Sequence, residues 1–341
     1  MRNLAILAAV AALSIPAAAN AQAVIANGPG GAAGNVMLGI NQTGELNYRG
    51  DLTNVSATGQ RIVGLRSTST RNEATSDGCT CEGWGAAVQG TGTTVYRNTA
   101  VGSSGVGSSS MVTDYAGVGT IGTFAISTVT SSTGALKVVH NYHASATPFL
   151  YQVDVTITNS SGADFTGKTL YRRTMDWDIE PTPFSEFSTI QGAVAATNVL
   201  SSSDNGFCNS NPLLVACGGT PGDFLHLGPF DHGAQFTFIF DLLKAGESRT
   251  FQTFYGVAPT ETGALAALGV VGAEVYSFGQ SRAGPADFKL KETFIFAFKG
   301  VGGTVIHGVP EPTSWALMIM GAGFVGTTLR TSRRRRIALA A

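Results

Sequence analysis

Apolar and polar residues alternate without a break through Tyr151-Gln-Val-Asp-Val-Thr-Ile-Thr-Asn159. A period of two puts Tyr151, Val153, Val155 and Ile157 on the core side of a β-strand, and Gln152, Asp154, Thr156 and Thr158 on the other. The same pattern predicts strands over 120–130 and 136–143, joined by the turn Ser131-Ser-Thr-Gly134. Further strands are expected over 234–243, 249–257 and 291–300. In the last of these, Phe294, Phe296 and Phe298 face one way and Ile295 and Ala297 the other, so the strand should be buried on both sides. The period turns helical once. After the start signal Pro259-Thr-Glu-Thr262, apolar residues recur at Leu265, Leu268, Val271 and Val275, which predicts an amphipathic helix ending near Gly279. Residues 53–119 are less regular, and the Gly/Ser-rich run 101–110 reads as a flexible loop. The expected fold is mainly β, a large antiparallel β-sandwich of about a dozen strands with one helix. A single domain is preferred over a division near 105–118.

Both ends read as addresses. Residues 1–21 have the form of a secretory signal peptide: Arg2, the apolar run Leu4 to Leu13, Pro16, and the small residues Ala19 and Ala21 before a mature start at Gln22. Its partners would be the Sec translocon and signal peptidase. Near the other end, 313–329 carries no charge and would span about 25 Å as a helix, short for a bilayer crossing. Arg330 and Arg333 to Arg336 follow it and would stay on the cytoplasmic side, with Trp315 at the outer interface.

Composition sharpens this picture. In 341 residues, 43% are hydrophobic and 13% charged, which excludes both a disordered chain and a solvated coiled coil. Without Arg2, the five C-terminal arginines and Glu311, the body keeps 15 basic and 21 acidic residues, a net charge of −6. Such a body has no basic stripe for nucleic acid.

The order Val309-Pro310-Glu311-Pro312-Thr313-Ser314-Trp315-Ala316, then a Gly-containing apolar stretch, then Arg333-Arg334-Arg335-Arg336, resembles the PEP-CTERM sorting signal of Gram-negative bacteria. The resemblance covers 309–336 and leaves the body, 22–308, unassigned. It implies that Pro310, Glu311 and Pro312 are read by an exosortase-like membrane protease, with an inner-membrane intermediate and delivery to the cell surface or extracellular matrix. It also implies an association with exopolysaccharide and biofilm, and the same signal occurs on proteins described as ice-binding.

Within the body, the segment Arg172-Arg-Thr-Met-Asp-Trp-Asp-Ile-Glu180 places Asp176, Asp178 and Glu180 on one face of a strand. Three acids in a row repel one another unless solvated, paired with Arg172, Arg173 or another basic strand, or bound to Ca²⁺. Asp176 and Asp178 also lie about 7 Å apart along a strand, near the separation of an inverting glycosidase pair. Cys79, Cys81, Cys208 and Cys217 are expected to form disulfides in an oxidising compartment, either within each pair or crosswise between the two. His140 and His143 should point to opposite faces of one strand. Trp84, Tyr96, Tyr115 and Tyr142 are either core residues or a sugar-stacking platform. Thr128/Thr130 and Thr156/Thr158 are two isolated threonine pairs of the kind an ice-binding face would repeat. No nucleophile elbow, zincin motif or phosphate loop occurs. The leading expectation is therefore a non-enzymatic exported structural or adhesive protein, with a secreted carbohydrate-binding or carbohydrate-active protein second and an ice-binding protein third.

Overall fold

A computed structural model describes residues 22–28, 34–50, 52–98, 102–215, 218–306 and Met320. The expected signal peptide (1–21) and the expected membrane helix (313–329, Met320 apart) lie outside these residues. Among the described residues, no helix is long and apolar enough to cross a membrane.

Among the described residues the body has eighteen strands, rather than about a dozen. The first three are β1 (Gln22–Ala26), β2 (Val36–Asn41) and β3 (Leu65–Ser67), and they form a small antiparallel sheet. Next come β4 (Glu82–Val88), β5 (Thr94–Asn98), β6 (Gly102–Ser104), β7 (Val106–Thr113), β8 (Ala125–Ser131), β9 (Leu136–Ala144) and β10 (Leu150–Asn159). They are followed by β11 (Thr169–Trp177), β12 (Glu186–Gln191), β13 (Val199–Ser203), β14 (Phe224–Phe230), β15 (His232–Phe240) and β16 (Ser248–Ala258). Helix α1 (Glu261–Val271), β17 (Val275–Ser281) and β18 (Thr293–Lys299) complete the order. A nine-stranded sheet runs β14-β12-β17-β18-β16-β10-β9-β8-β7, and a six-stranded sheet runs β13-β15-β11-β4-β5-β6. All pairings between these strands are antiparallel, and the described residues between 22 and 306 are mainly β with one α-helix, α1.

The inner faces of the two large sheets meet through aromatic rings. Phe238 of β15 lies 4.7 Å from Phe298 of β18, Phe236 lies 5.7 Å from Phe296, and Tyr171 of β11 lies 5.0 Å from Phe251 of β16. The alternation in β10 is as expected: Tyr151, Val153, Val155 and Ile157 are fully buried. In β18, Phe294, Phe296 and Phe298 enter this main core. Ile295 and Ala297 meet a second core with Ala264, Ala267, Leu268 and Val271 of α1, so the helix covers part of the outer face of the nine-stranded sheet.

Two expectations are corrected. The helix ends at Gly272, not near Gly279, because Gly272 adopts a left-handed φ of 67° that closes the last turn. Val275 therefore begins a strand, and Tyr276 and Phe278 of β17 pack on the same face as the helix. The Thr260 side chain caps the other end, accepting from the Gly263 N–H at 3.0 Å. The run 101–110 is not a loop. From Gly102 it forms β6 and β7, and β7 pairs with β8 through Met111↔Ser127 and Ser110↔Thr128.

Candidate functional site

Two buried polar clusters sit on β11, whose nine residues are all buried. The first lies between the sheets. Arg173 donates from Nε to Glu82 Oε1 at 2.5 Å, and from Nη2 to the Gly44 carbonyl at 3.0 Å and to Tyr142 Oη at 3.2 Å. Tyr255 Oη donates to Glu82 Oε1 at 3.1 Å, and the Leu46 N–H donates to Glu82 Oε2 at 2.6 Å. Burial pushes the Glu82 carboxyl up, while the Arg173 guanidinium and the Leu46 N–H pull it back. Beside it, His140 Nε2 lies 3.0 Å from Tyr171 Oη, and burial together with the Arg173 charge holds the imidazole well below its ordinary value. The network ties β4 and β11 to β9 and β16 and threads the 42–46 loop between them. Its charged groups, Arg173 and Glu82, are paired and buried, which is the pattern of a structural brace.

The second cluster lies at the end of β11. Asp176 and Asp178 share a face, as expected, but neither is solvated: they are 1% and 0% exposed. Neither pairs with an arginine. Arg172 instead donates to Thr237 Oγ1 at 2.8 Å and to the carbonyls of Asn209, Asn211 and Leu214, while Arg173 is held by Glu82. The third carboxylate is not Glu180 but Asp231. β11 and β15 pair through Asp176↔Gly233 and Trp177↔His232, a register that brings Asp231 beside Asp178. Asp231 is the residue at which the chain leaves β14 in one sheet and enters β15 in the other. One oxygen from each of Asp176, Asp178 and Asp231 lies within 4.8 Å of the others. Burial, and then the neighbouring carboxylates, push Asp176 and Asp178 well above the ordinary carboxylate range. Nearby Glu186 is pushed up to about 8, chiefly by burial, although it accepts from the N–H groups of Ser185 at 2.8 Å and His232 at 3.0 Å.

Glu180 belongs to a separate arrangement. It is fully buried and accepts from the Ser56 and Thr58 hydroxyls and from the Glu73 N–H at 3.0 Å. It lines a cavity of about 280 Å³ with Asn72, Pro181, Lys291 and Glu292, and that cavity does not include Asp176 or Asp178.

The remaining candidates are placed as follows. Cys79 and Cys81 are bonded to each other, and Cys208 is also in a disulfide, while Cys217 lies outside the described residues. His140 is buried between the sheets, and His143 is half-buried beside Asp154 at 3.1 Å, on the opposite face as expected. Trp84, Tyr115 and Tyr142 are core residues and Tyr96 alone is half-buried, so the four do not form an exposed stacking platform. The threonine pairs lie on the outer face of the nine-stranded sheet. Thr128 and Thr156 both flank Val139, and Thr130 and Thr158 both flank Lys137, so β9 interrupts the threonine rows. Thr250, Ser248, Ser110 and Ser108 extend the same rows on the neighbouring strands. The sorting residues Pro310, Glu311, Pro312, Trp315, Arg333, Arg334, Arg335 and Arg336 lie outside the described residues.

Sequence reasoning missed Asp231, Glu82 and Arg173 as partners. Glu82 and Arg173 are 91 residues apart, and only the β4–β11 pairing brings them together. Nothing in the local sequence marks Asp231 as acidic company for Asp178.

A search of curated proteins gives no match. One solved structure aligned with the chain is a putative aldose 1-epimerase of Escherichia coli K12, at 11% identity over 85% of this chain and 94% of that one, with a TM-score of 0.28. A likeness at that level carries no argument about chemistry. Residues 308–336 match the model of the PEP-CTERM protein-sorting motif. The motif indicates an exported protein handled by an exosortase-like enzyme at the membrane. From its proline-glutamate-proline tripeptide to its last clustered arginine, the chain carries a PEP-CTERM protein-sorting motif.

Proposed function

We propose that this protein is a non-catalytic component of the cell envelope or extracellular matrix of a Gram-negative bacterium, working in contact with exopolysaccharide. The observation that carries this reading is the sorting motif at 308–336. In this account the Sec translocon exports the chain and signal peptidase releases Gln22. The apolar segment 313–329 holds the intermediate in the inner membrane with Arg333 to Arg336 inside. An exosortase-like protease then acts at Pro310-Glu311-Pro312 and frees the body, 22–308.

Two features of the body support a structural or adhesive role. Asp176 and Asp178, the pair whose spacing along the strand suggested a glycosidase, have almost no solvent-facing surface for a sugar to reach. The outer face formed by β7 to β10 and β16 instead offers polar groups: the hydroxyls of Thr250, Thr156, Thr128 and Ser110 in a row interrupted by Val139 of β9, and the amides of Gln252 and Asn141 on either side of the Asp154 carboxylate. Such groups exchange hydrogen bonds with sugar hydroxyls over a broad area without a pocket.

The test is deletion of 308–336 in the producing cell. The truncated body is expected to lose its place in the surface or matrix fraction and collect in the periplasm. Unchanged distribution would overturn the proposal. Measuring thermal hysteresis on the same protein separates an ice-binding body from a polysaccharide-binding one: hysteresis contradicts the proposal, and its absence with retained polysaccharide binding supports it.

A further inference from the structure

The cluster at the end of β11 is incomplete in its own terms. Other buried carboxylates are supplied with donors: Glu82, Glu180 and the neighbouring Glu186 each accept two or more hydrogen bonds. Asp178 is fully buried, yet neither of its oxygens has a hydrogen-bond partner, and Asp176 Oδ1 has none either. Asp176 Oδ2 faces the Cys79 sulfur at 3.4 Å, which has no hydrogen to donate while it is bonded to Cys81. Buried polar atoms without partners are rare, and those of a carboxylate are the costliest to leave so.

Among the described residues, no arginine or lysine pairs with the cluster, and the basic group closest to it is His232, beside Asp231. Around the cluster stand Glu186, Asp77 and Glu73, all acidic. Arg66 is committed to Glu73 at 2.9 Å, and His232 Nδ1 is committed to Asp204 at 3.0 Å. The oxygen spacing fits an ion. Oxygens bound to one Ca²⁺ at about 2.3–2.6 Å each lie no more than about 5 Å apart. One oxygen of each of Asp176, Asp178 and Asp231 falls within 4.8 Å of the others.

We propose that Asp176, Asp178 and Asp231 form a divalent-cation site that takes Ca²⁺. The donor set is carboxylate oxygen, with the neighbouring sulfurs locked in a disulfide, so a hard cation is favoured over zinc. Asp231 is exposed and gives the ion a way in, and waters on that side complete its coordination. The bound ion fastens β11 to the point where the chain crosses from one sheet to the other. This inference stands apart from the sorting reading, because it concerns only the folded body.

The experiment uses the full chain, stripped with EDTA and transferred to chelator-free buffer. Calorimetric titration with CaCl₂ is expected to show one ion per chain, and a roughly hundredfold excess over Kd should raise Tm by about 3–6 °C. Asp178→Asn keeps the shape and removes a ligand charge. Its metal-free Tm should stay level or rise, since a bare carboxylate has gone, while the Ca²⁺-dependent rise disappears. Glu180→Gln should retain that rise in full. No heat and no melting shift up to about 5 mM Ca²⁺, well above the range of extracellular calcium modules, would overturn the inference. So would a response to Zn²⁺ alone, or a Ca²⁺ shift that survives Asp178→Asn.

Discussion

Replacing Glu82 by Gln removes one negative charge from a site that water does not reach. Arg173 is fully buried, and Glu82 is its only anionic partner in the network: the other acceptors are the Gly44 carbonyl and the Tyr142 and Tyr171 hydroxyls. Guanidinium does not lose its proton to escape the problem, so the variant keeps a buried cation without a counter-charge. The new amide also sets an N–H₂ group against donors, because Glu82 receives Arg173 and Tyr255 on one oxygen and the Leu46 N–H on the other. Breaking a buried ion pair from one side costs about 3–5 kcal/mol. For a domain this large each kcal/mol moves Tm by about 2 °C, so a fall of about 6–10 °C is expected. Differential scanning calorimetry at fixed Ca²⁺ measures it. The double variant Glu82→Gln/Arg173→Met should recover part of the loss, since no unpaired charge remains, and a double-mutant cycle gives the coupling. A fall below about 2 °C for Glu82→Gln, or a double variant that loses the plain sum of the two single changes, would refute the brace.

Other outcomes follow from the same core. His140 is buried and neutral, with its folded pKa well below the ordinary 6.5, so it binds fewer protons folded than unfolded. Its contribution is present above that value and is lost as pH falls below it. Denaturant unfolding should therefore show stability dropping by up to about 2 kcal/mol between about pH 6.5 and 5, with a shallower slope in His140→Gln. Gly44→Ala places a Cβ 2.9 Å from His140 Nδ1 at a φ of 84°, so this substitution should lower Tm although it adds only one methyl group. Phe298→Ala empties a position packed on Phe236, Phe238 and Phe296, and should cost about 3–5 kcal/mol in denaturant unfolding. Thr260→Ala removes the cap of α1 and should cost about 1 kcal/mol by the same measurement.

The strands that could be read from the sequence are those with a strong one-sided or two-sided apolar signal. Tyr151 to Ile157 face one core, and Phe294 to Phe298 divide between two, because side-chain polarity alone separates those environments. β6 and β7 were hidden because Gly and Ser carry little polarity contrast, and most of their residues through Ser110 face outward. The helix end was misjudged because Val275 continues the apolar spacing, while the left-handed turn at Gly272 breaks it. At the acidic cluster, two of three members were visible as alternate residues of one strand. The third depends on the register between β11 and β15, which carries no local mark, and Glu180 was misassigned because the ladder with β15 ends at Trp177. Beyond that point the backbone follows the 73–81 segment, with the Asp178 and Glu180 N–H groups donating to the Ala74 and Glu73 carbonyls.

Intact-mass and terminal-peptide mass spectrometry of the protein recovered from producing cells and from their medium tests the sorting account most directly. A surface or matrix species that starts at Gln22 and ends within or beside Pro310-Glu311-Pro312, absent when the exosortase is removed, is the expected result. A full-length chain, still carrying Met1 and the arginine cluster and recovered only from the cytosol, would contradict it.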